Sequence, residues 1–125
     1  MKKPSLLYVD DEFINLLAFK SQFRRDYSVF CAGDATKAFE QLEENRIDVV
    51  FSDQRMPDMP GTEFLKKVKK QYPNTCRIII SGFTEDKAIQ HGLESGIIHK
   101  AFEKPYQKHQ ILDFIENKED EKDET

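Results

Sequence analysis

Short apolar runs alternate with longer amphipathic stretches along the whole of this 125-residue chain. The runs are rich in β-branched and aromatic residues and end at turn-forming residues, a pattern that predicts strands buried in a sheet. Five such strands are expected, near residues 6–9, 27–32, 49–51, 77–81 and 97–102.

The stretches between the strands have the apolar spacing of helices. Asp34 is the predicted N-cap of the second helix, and Pro73 is expected to end the third. Thr84 is the predicted N-cap of the fourth helix, which contains Gly92. Because an internal glycine costs about 1 kcal/mol relative to alanine, we expect this helix to be short and easily remodelled. The apolar face of a fifth helix is expected to comprise Ile111, Leu112, Phe114 and Ile115.

Five strands that are each followed by a helix predict an α/β fold. We expect a doubly wound, five-stranded parallel sheet with right-handed crossovers and helices on both faces, which is a three-layer sandwich. The length suits one domain, expected over residues 1–117. Residues 118–125 are expected to form an acidic, disordered tail or the start of a linker, because nearly all of them are charged.

The formal net charge of −4 is matched by the charge of the segment from Glu116 to Thr125, so the body of the domain is neutral. No basic stripe interleaved with aromatic residues is present, and we expect no direct nucleic-acid binding. The sequence has no apolar stretch of membrane-spanning length and no signal peptide, and its two distant cysteines suggest no disulfide framework. These features favour a cytoplasmic location without membrane contact.

Polar residues that can do chemistry follow four of the five predicted strands. Asp10 and Asp11 come after the first strand, Asp53 ends the third, Ser81 ends the fourth and Lys104 follows the fifth. Ligand sites of doubly wound sheets lie outside the carboxyl ends of the strands. The topology should therefore bring these five residues to one edge of the sheet.

Three carboxylates within a few ångströms repel one another by about 1 kcal/mol per pair in water and by about 4 kcal/mol at an effective dielectric constant near 20. A cation that prefers oxygen ligands relieves this repulsion, and an incomplete protein cage favours Mg²⁺. Lys104 and the Ser81 hydroxyl would then bind phosphoryl oxygens. In this arrangement Asp53 could be the nucleophile that receives a phosphoryl group.

From Lys3 to about Asn117 the chain resembles the receiver domains of two-component response regulators, the CheY-like family. The resemblance rests on four segments in this order: Tyr8-Val9-Asp10-Asp11-Glu12, Ser52-Asp53-Gln54-Arg55-Met56-Pro57 with Gly61 after it, Ile79-Ile80-Ser81-Gly82, and Lys104-Pro105. It implies a flavodoxin-like sheet of strand order 2-1-3-4-5. It also implies a protein that catalyses only its own phosphorylation and dephosphorylation, not a turnover enzyme.

The resemblance implies that Asp53 accepts a phosphoryl group from the phosphohistidine of a sensor histidine kinase or a phosphotransfer protein. Asp10, Asp11, Asp53 and the backbone carbonyl of Arg55 would hold Mg²⁺, and Lys104 would bind the phosphate. Phosphorylation would then change the binding of a downstream protein or output domain, not identified by the sequence, through the face of the fourth helix, fifth strand and fifth helix. Family members also commonly form homodimers through that face.

Ser81 would be the hydroxyl switch residue, which receivers usually couple to a Tyr or Phe three residues before the phosphate-binding lysine. Here that position is Ala101, with Phe102 beside it. We expect Phe102 to face the core as a strand residue, in preference to serving as a shifted switch. Because Ala101 replaces the usual aromatic residue, the alternative function is a receiver-like constitutive docking module with impaired switching.

Two further alternatives share the architecture but fit the sequence poorly. Phosphatases of the haloacid dehalogenase type need a second Asp two residues after the nucleophile, where this chain has Arg55. A flavodoxin-like FMN carrier needs a phosphate-binding loop after the first strand, where Asp10 and Asp11 would repel the cofactor. Arg55 is instead expected to overhang the site, where it could affect how fast water reaches an acyl phosphate.

Overall fold

The structure, a computed structural model, describes residues 3–123, with side chains described as far as Lys118. Within this range five strands alternate with five helices. The strands are β1 (Ser5–Val9), β2 (Ser28–Ala32), β3 (Val49–Asp53), β4 (Cys76–Ser81) and β5 (Lys100–Glu103). The helices are α1 (Phe13–Phe23), α2 (Ala35–Glu44), α3 (Gly61–Gln71), α4 (Lys87–Glu94) and α5 (Lys108–Asp123).

All four strand pairings are parallel, and the strand order is β2-β1-β3-β4-β5. The predicted fold class and strand order are therefore confirmed. β3 lies at the centre of the sheet and is buried along its whole length, as its continuous apolar run predicts. Its last residue, Asp53, pairs with Ile80, and the next residue of β4, Ser81, pairs with Glu103 of β5.

Two apolar cores cover the two faces of the sheet. One core joins the sheet to α2, α3 and α4 through side chains that include Leu7, Val50 and Ile79. The other joins it to α1 and α5 through side chains that include Tyr8 and Phe51. Within residues 3–123, no helix is both long enough and apolar enough to cross a membrane.

The predicted start of α4 is wrong. Asp86, not Thr84, is the N-cap, because its carboxylate accepts hydrogen bonds from the backbone N–H groups of Ala88 and Ile89. The helix is short, as expected, and it does contain Gly92. A Cβ at that position would clash with the Ile98 side chain, so the close packing of α4 on Ile98 accounts for the glycine.

The last strand and helix also differ from their predicted bounds. β5 begins at Lys100, not at Ile97, because the Ile98 amide donates to the Gly92 carbonyl and closes the end of α4. α5 continues to Asp123, so helix extends past Asn117, where the domain was expected to end. Glu124 and Thr125, the end of the predicted tail, lie outside the described residues.

The apolar residues of α1 are divided between the core and the surface. Phe19 and Phe23 are fully buried against the sheet. Phe13, Ile14 and Leu17 are 69%, 73% and 50% exposed. The helix therefore presents an apolar surface, the α1 patch, that the core does not use.

Candidate functional site

The carboxyl end of β3 places Asp53 at the edge of the sheet, largely buried. The loop that follows is held close to the strand, because the Gly61 amide donates to the Gln54 carbonyl over 3.0 Å. A Cβ on Gly61 would clash with the Asp53 carbonyl oxygen and the Ser52 hydroxyl. Only glycine allows α3 to begin this close to the end of β3.

Asp10, Asp11 and Asp53 converge as the topology predicts. Each offers a carboxylate oxygen, and these three atoms lie within 4.8 Å of one another. Asp10 is fully buried, whereas Asp11 is exposed. The site therefore has a buried floor and an open side.

Lys104 joins the cluster from the loop after β5. Its Nζ lies 3.1 Å from Asp53 Oδ1 and 3.7 Å from Asp10 Oδ2. Its backbone amide donates to the Ser81 carbonyl over 2.8 Å, which fixes the loop against β4. The peptide bond from Lys104 to Pro105 is cis.

Burial raises the pKa of the Asp53 carboxyl above its usual value. The hydrogen bond and charge of Lys104 oppose this shift, and the negative charge of Asp10 adds to it. The carboxylate of Asp53 is thus a largely buried anion held beside the Lys104 ammonium group.

Asp10 is held by donors that the sequence analysis did not single out. Its Oδ2 accepts from the Tyr8 hydroxyl over 2.7 Å and from Asn15 Nδ2 over 3.0 Å. Its Oδ1 accepts from the Glu12 amide over 2.9 Å. Burial and the bond to Asp10 raise the pKa of Tyr8 far above its usual value, so Tyr8 is a neutral donor. Tyr8 is in β1 and Asp10 lies one residue past its end, so the alternation of side chains along an extended chain turns both to one side and is the signal that points to this pair.

Ser81 and Arg55 lie at the same end of the sheet but differ in exposure. The buried Ser81 hydroxyl accepts from the Phe83 amide over 3.2 Å. Arg55 is exposed and lines a depression of about 470 Å³ that Asp11 also lines. The structure thus leaves room above the acidic cluster for a group that approaches from solvent.

Phe102 and Ala101 point to opposite faces of β5. Phe102 is buried in the core shared with α1 and α5, where its ring meets Phe114 edge-on at 6.0 Å between centroids. Ala101 packs on the other face, against the core formed with α2, α3 and α4. Phe102 is therefore the core-facing strand residue that the sequence predicts, and it lies across the sheet from α4.

The cluster fits a small divalent cation by its chemistry. Three carboxylates supply hard oxygen ligands, the donor type that Mg²⁺ prefers, and the exposed side leaves room for water ligands. The residues that would hold such an ion are Asp10, Asp11 and Asp53, together with the Arg55 carbonyl that the sequence analysis adds. When bound, the cation would neutralise carboxylate and phosphoryl charge.

Comparisons with known proteins agree with this geometry. The response regulator receiver domain model matches residues 6–116. The hydrogenase transcriptional regulatory protein HoxA of Bradyrhizobium diazoefficiens is 37% identical over 111 residues, which make up 89% of this chain and 23% of HoxA. The chain thus spans less than a quarter of that relative. Sporulation initiation phosphotransferase F of Bacillus subtilis is 29% identical over 116 residues, 92% of this chain and 93% of that protein.

A solved structure with the same architecture is the CheY-like response regulator receiver domain protein of Methanospirillum hungatei. It superposes with a TM-score of 0.88 at 27% sequence identity, over 98% of each chain. The family model covers nearly all of the two-core domain, including both the acidic cluster and Lys104. The chain belongs to the response regulator receiver domain family of two-component systems.

Proposed function

We propose that this domain accepts a phosphoryl group on Asp53 in a Mg²⁺-dependent reaction, with a phosphohistidine of a sensor histidine kinase or phosphotransfer protein as donor. The observation that carries the proposal is the convergence of three carboxylates and one ammonium group on the end of β3. Asp10 and Asp11 hold the cation, while Asp53 is the nucleophile. Lys104 binds a phosphoryl oxygen of the incoming group.

The transfer makes one bond and breaks one bond. An Asp53 carboxylate oxygen forms the new O–P bond, and the P–N bond of the phosphohistidine breaks. The departing imidazole nitrogen keeps the bonding electron pair. The phosphoryl group is then bound to Asp53 as an acyl phosphate. Catalysis of such a step consists mainly of charge neutralisation and alignment of the reacting groups. The bound cation and Lys104 would provide both.

Intact-protein mass spectrometry after incubation with acetyl phosphate tests the proposal. The wild type should gain one phosphoryl group with Mg²⁺ and none with excess chelator, and Asp53→Asn should gain none. Asp58→Asn is the matched control, because Asp58 lies in the same loop but its carboxylate accepts from the Ala35 amide instead. A folded wild type that gains no mass with Mg²⁺ would contradict the proposal and favour the constitutive docking module.

The α1 patch supports a protein as the natural donor. Phe13, Ile14 and Leu17 are exposed, and α1 begins two residues after Asp11 of the cluster. Exposed apolar side chains beside a reactive group favour contact with a partner surface. Leu17→Glu should therefore slow transfer from a phosphorylated histidine kinase but leave the reaction with acetyl phosphate unchanged.

The output of the switch is proposed to pass through the surface of α4, β5 and α5. β5 is an edge strand, and a depression of about 650 Å³ lies between it and α5. A downstream protein, an output domain or a second copy of the chain could each use this surface. The proposal implies a cytoplasmic location, where the donor's phosphohistidine would be available.

A further inference from the structure

The Asp10 carboxylate is fully buried, and each of its oxygens already has a hydrogen-bond donor. The shortest of these bonds comes from the Tyr8 hydroxyl, at 2.7 Å from Oδ2. Lys104 Nζ lies 3.7 Å from that same oxygen, yet it makes its hydrogen bond to Asp53 at 3.1 Å. Tyr8 and Lys104 therefore approach one oxygen, and of these two only Tyr8 is hydrogen-bonded to it.

The Tyr8 side chain is fixed by its surroundings. It is the last but one residue of β1, fully buried, and pairs with Cys31 on one side and Phe51 on the other. Its ring stacks on Phe19 with 4.5 Å between centroids and 24° between planes. A phenylalanine would fill the same space without placing a hydroxyl in the core. A buried tyrosine hydroxyl usually has a hydrogen-bond partner, and the partner of Tyr8 is Asp10.

We infer that Tyr8 is a positioning residue that orients the Asp10 carboxylate toward a divalent cation and keeps Lys104 on Asp53. This inference rests on the proposed Mg²⁺-dependent function. Groups that hydrogen-bond a ligating carboxylate fix its orientation, and their loss typically weakens metal binding about 10- to 100-fold.

The effect on Lys104 follows from charge. Without the hydroxyl, Asp10 Oδ2 keeps Asn15 as its donor, and the nearest cation is Lys104. A buried carboxylate that loses a donor gains from a closer ammonium group. Lys104 would then move toward Asp10 and place a positive charge on an oxygen-lined site that the metal needs.

Titration calorimetry with MgCl₂ on wild type, Tyr8→Phe and Tyr106→Phe tests the inference. Tyr8→Phe should bind Mg²⁺ about ten-fold or more weakly. Tyr106→Phe is the matched control, because the Tyr106 hydroxyl donates to Gln22 Oε1 at 2.9 Å, and it should bind like the wild type. All three proteins should be folded without Mg²⁺. Addition of Mg²⁺ should raise the melting temperature of Tyr8→Phe less than that of the wild type or of Tyr106→Phe.

Kinetics with acetyl phosphate separates positioning from a general structural defect. In Tyr8→Phe the Mg²⁺ concentration for half-maximal phosphorylation should rise about ten-fold. The rate at saturating Mg²⁺ should stay near that of the wild type, because a bound cation would repel Lys104 from Asp10 and return it to Asp53. A structural defect would lower the saturating rate as well. If Tyr8→Phe does not fold, Asn15→Ala removes the other donor to Asp10 Oδ2. It should likewise need more Mg²⁺ for half-maximal phosphorylation but keep the rate at saturating Mg²⁺.

Equal or tighter Mg²⁺ binding by Tyr8→Phe would overturn the inference while leaving the proposed function intact. An equal loss in Tyr106→Phe would also overturn it, because the effect would not depend on the bond to Asp10. A wild type that binds no Mg²⁺ would overturn the proposed function, and the inference with it.

Discussion

Lys104 Nζ donates a hydrogen bond to Asp53 Oδ1 over 3.1 Å, and the two residues are 51 positions apart in the sequence. The contact joins the loop after β5 to the end of the central strand. It forms because the parallel topology brings all carboxyl ends of the strands to one edge.

Replacement of Lys104 by methionine should separate phosphorylation from metal binding. Loss of a charged donor aimed at transferring oxygens should slow phosphorylation of Asp53 by about 10²-fold. Mg²⁺ binding should not weaken, because the variant removes a positive charge from the site. Stopped-flow phosphorylation and Mg²⁺ titration measure the two effects. Lys108→Met is the control, since Lys108 is paired with Asp26 at 3.5 Å. Wild-type kinetics in Lys104→Met would contradict the role of Lys104.

Gly61→Ala should damage both stability and phosphorylation. The new methyl group would clash with the Asp53 carbonyl oxygen, which belongs to the backbone and cannot rotate away. We expect a loss of about 1–3 kcal/mol in the free energy of unfolding, measured with urea. Gly33→Ala is the control, because a Cβ there would meet no atom within 4 Å. Equal stability of the two variants would show that the close approach at Gly61 is unimportant.

Arg77 is predicted to hold two loops together at the other end of the sheet. Its buried guanidinium donates to the Ile97 and Thr75 carbonyl oxygens over 2.8 and 2.9 Å, and to the Gly96 carbonyl over 3.3 Å. Arg77→Met leaves these carbonyl oxygens, of which that of Thr75 is buried, without their donor and should cost about 1–3 kcal/mol.

Urea unfolding measures the cost at Arg77, and hydrogen exchange at the Ile98 amide should accelerate. The exposed Arg24 offers a matched control, Arg24→Met. A change below about 0.5 kcal/mol in Arg77→Met, the level of an ordinary surface substitution, would refute the prediction.

His99 should make the domain less stable in mild acid. Its Nδ1 accepts from the Arg77 amide over 2.9 Å, and partial burial, followed by the charge of Arg77, lowers the pKa of His99. Lys69 and Lys118 add to the lowering. Above a pH of about 6.5 the imidazole is neutral in both the folded and the unfolded state. As the pH falls below that value, the unfolded chain binds the proton first, so stability is lost down to the folded pKa.

His99→Gln retains an acceptor but cannot titrate, so its stability should fall less between about pH 7 and pH 5. His109→Gln is the control, because the His109 imidazole on α5, unlike that of His99, makes no hydrogen bond to the residues that the structure describes. Urea unfolding across this range gives the comparison. A pH dependence of His99→Gln equal to that of the wild type would count against the role of the imidazole.

The sheet and the positions of its chemical groups could be predicted from the sequence because both follow from local pattern plus one topological rule. The alternation of apolar strand runs with helical apolar spacing predicts the order of strands and helices. Parallel pairing of the strands then brings Asp10, Asp53 and Lys104 to one edge of the sheet. The Asp34 cap of α2 is also confirmed, since its carboxylate accepts from the Lys37 amide. None of these results depends on which of two similar neighbours makes a contact.

Predictions failed or were missing where two similar residues compete or where a contact is tertiary. Thr84 and Asp86 are both good N-caps, and only the chain path after β4 decides for Asp86. Apolar residues surround much of α1, so spacing alone does not tell that Phe19 is buried and Ile14 exposed. The spacing of Tyr8 and Asp10 suggests that their side chains share one side of the chain, but their hydrogen bond also depends on the tertiary packing of the Tyr8 ring on Phe19.

Borohydride reduction of the phosphorylated protein, followed by peptide mass mapping, tests the central claim most directly. Hydride converts an aspartyl phosphate to an alcohol, so the modified aspartate acquires the mass of homoserine. We predict this change at Asp53 only, dependent on Mg²⁺ and acetyl phosphate, with Asp10 and Asp11 unmodified. Modification at Asp10 or Asp11 in place of Asp53, or modification at Asp53 without Mg²⁺, would contradict the account.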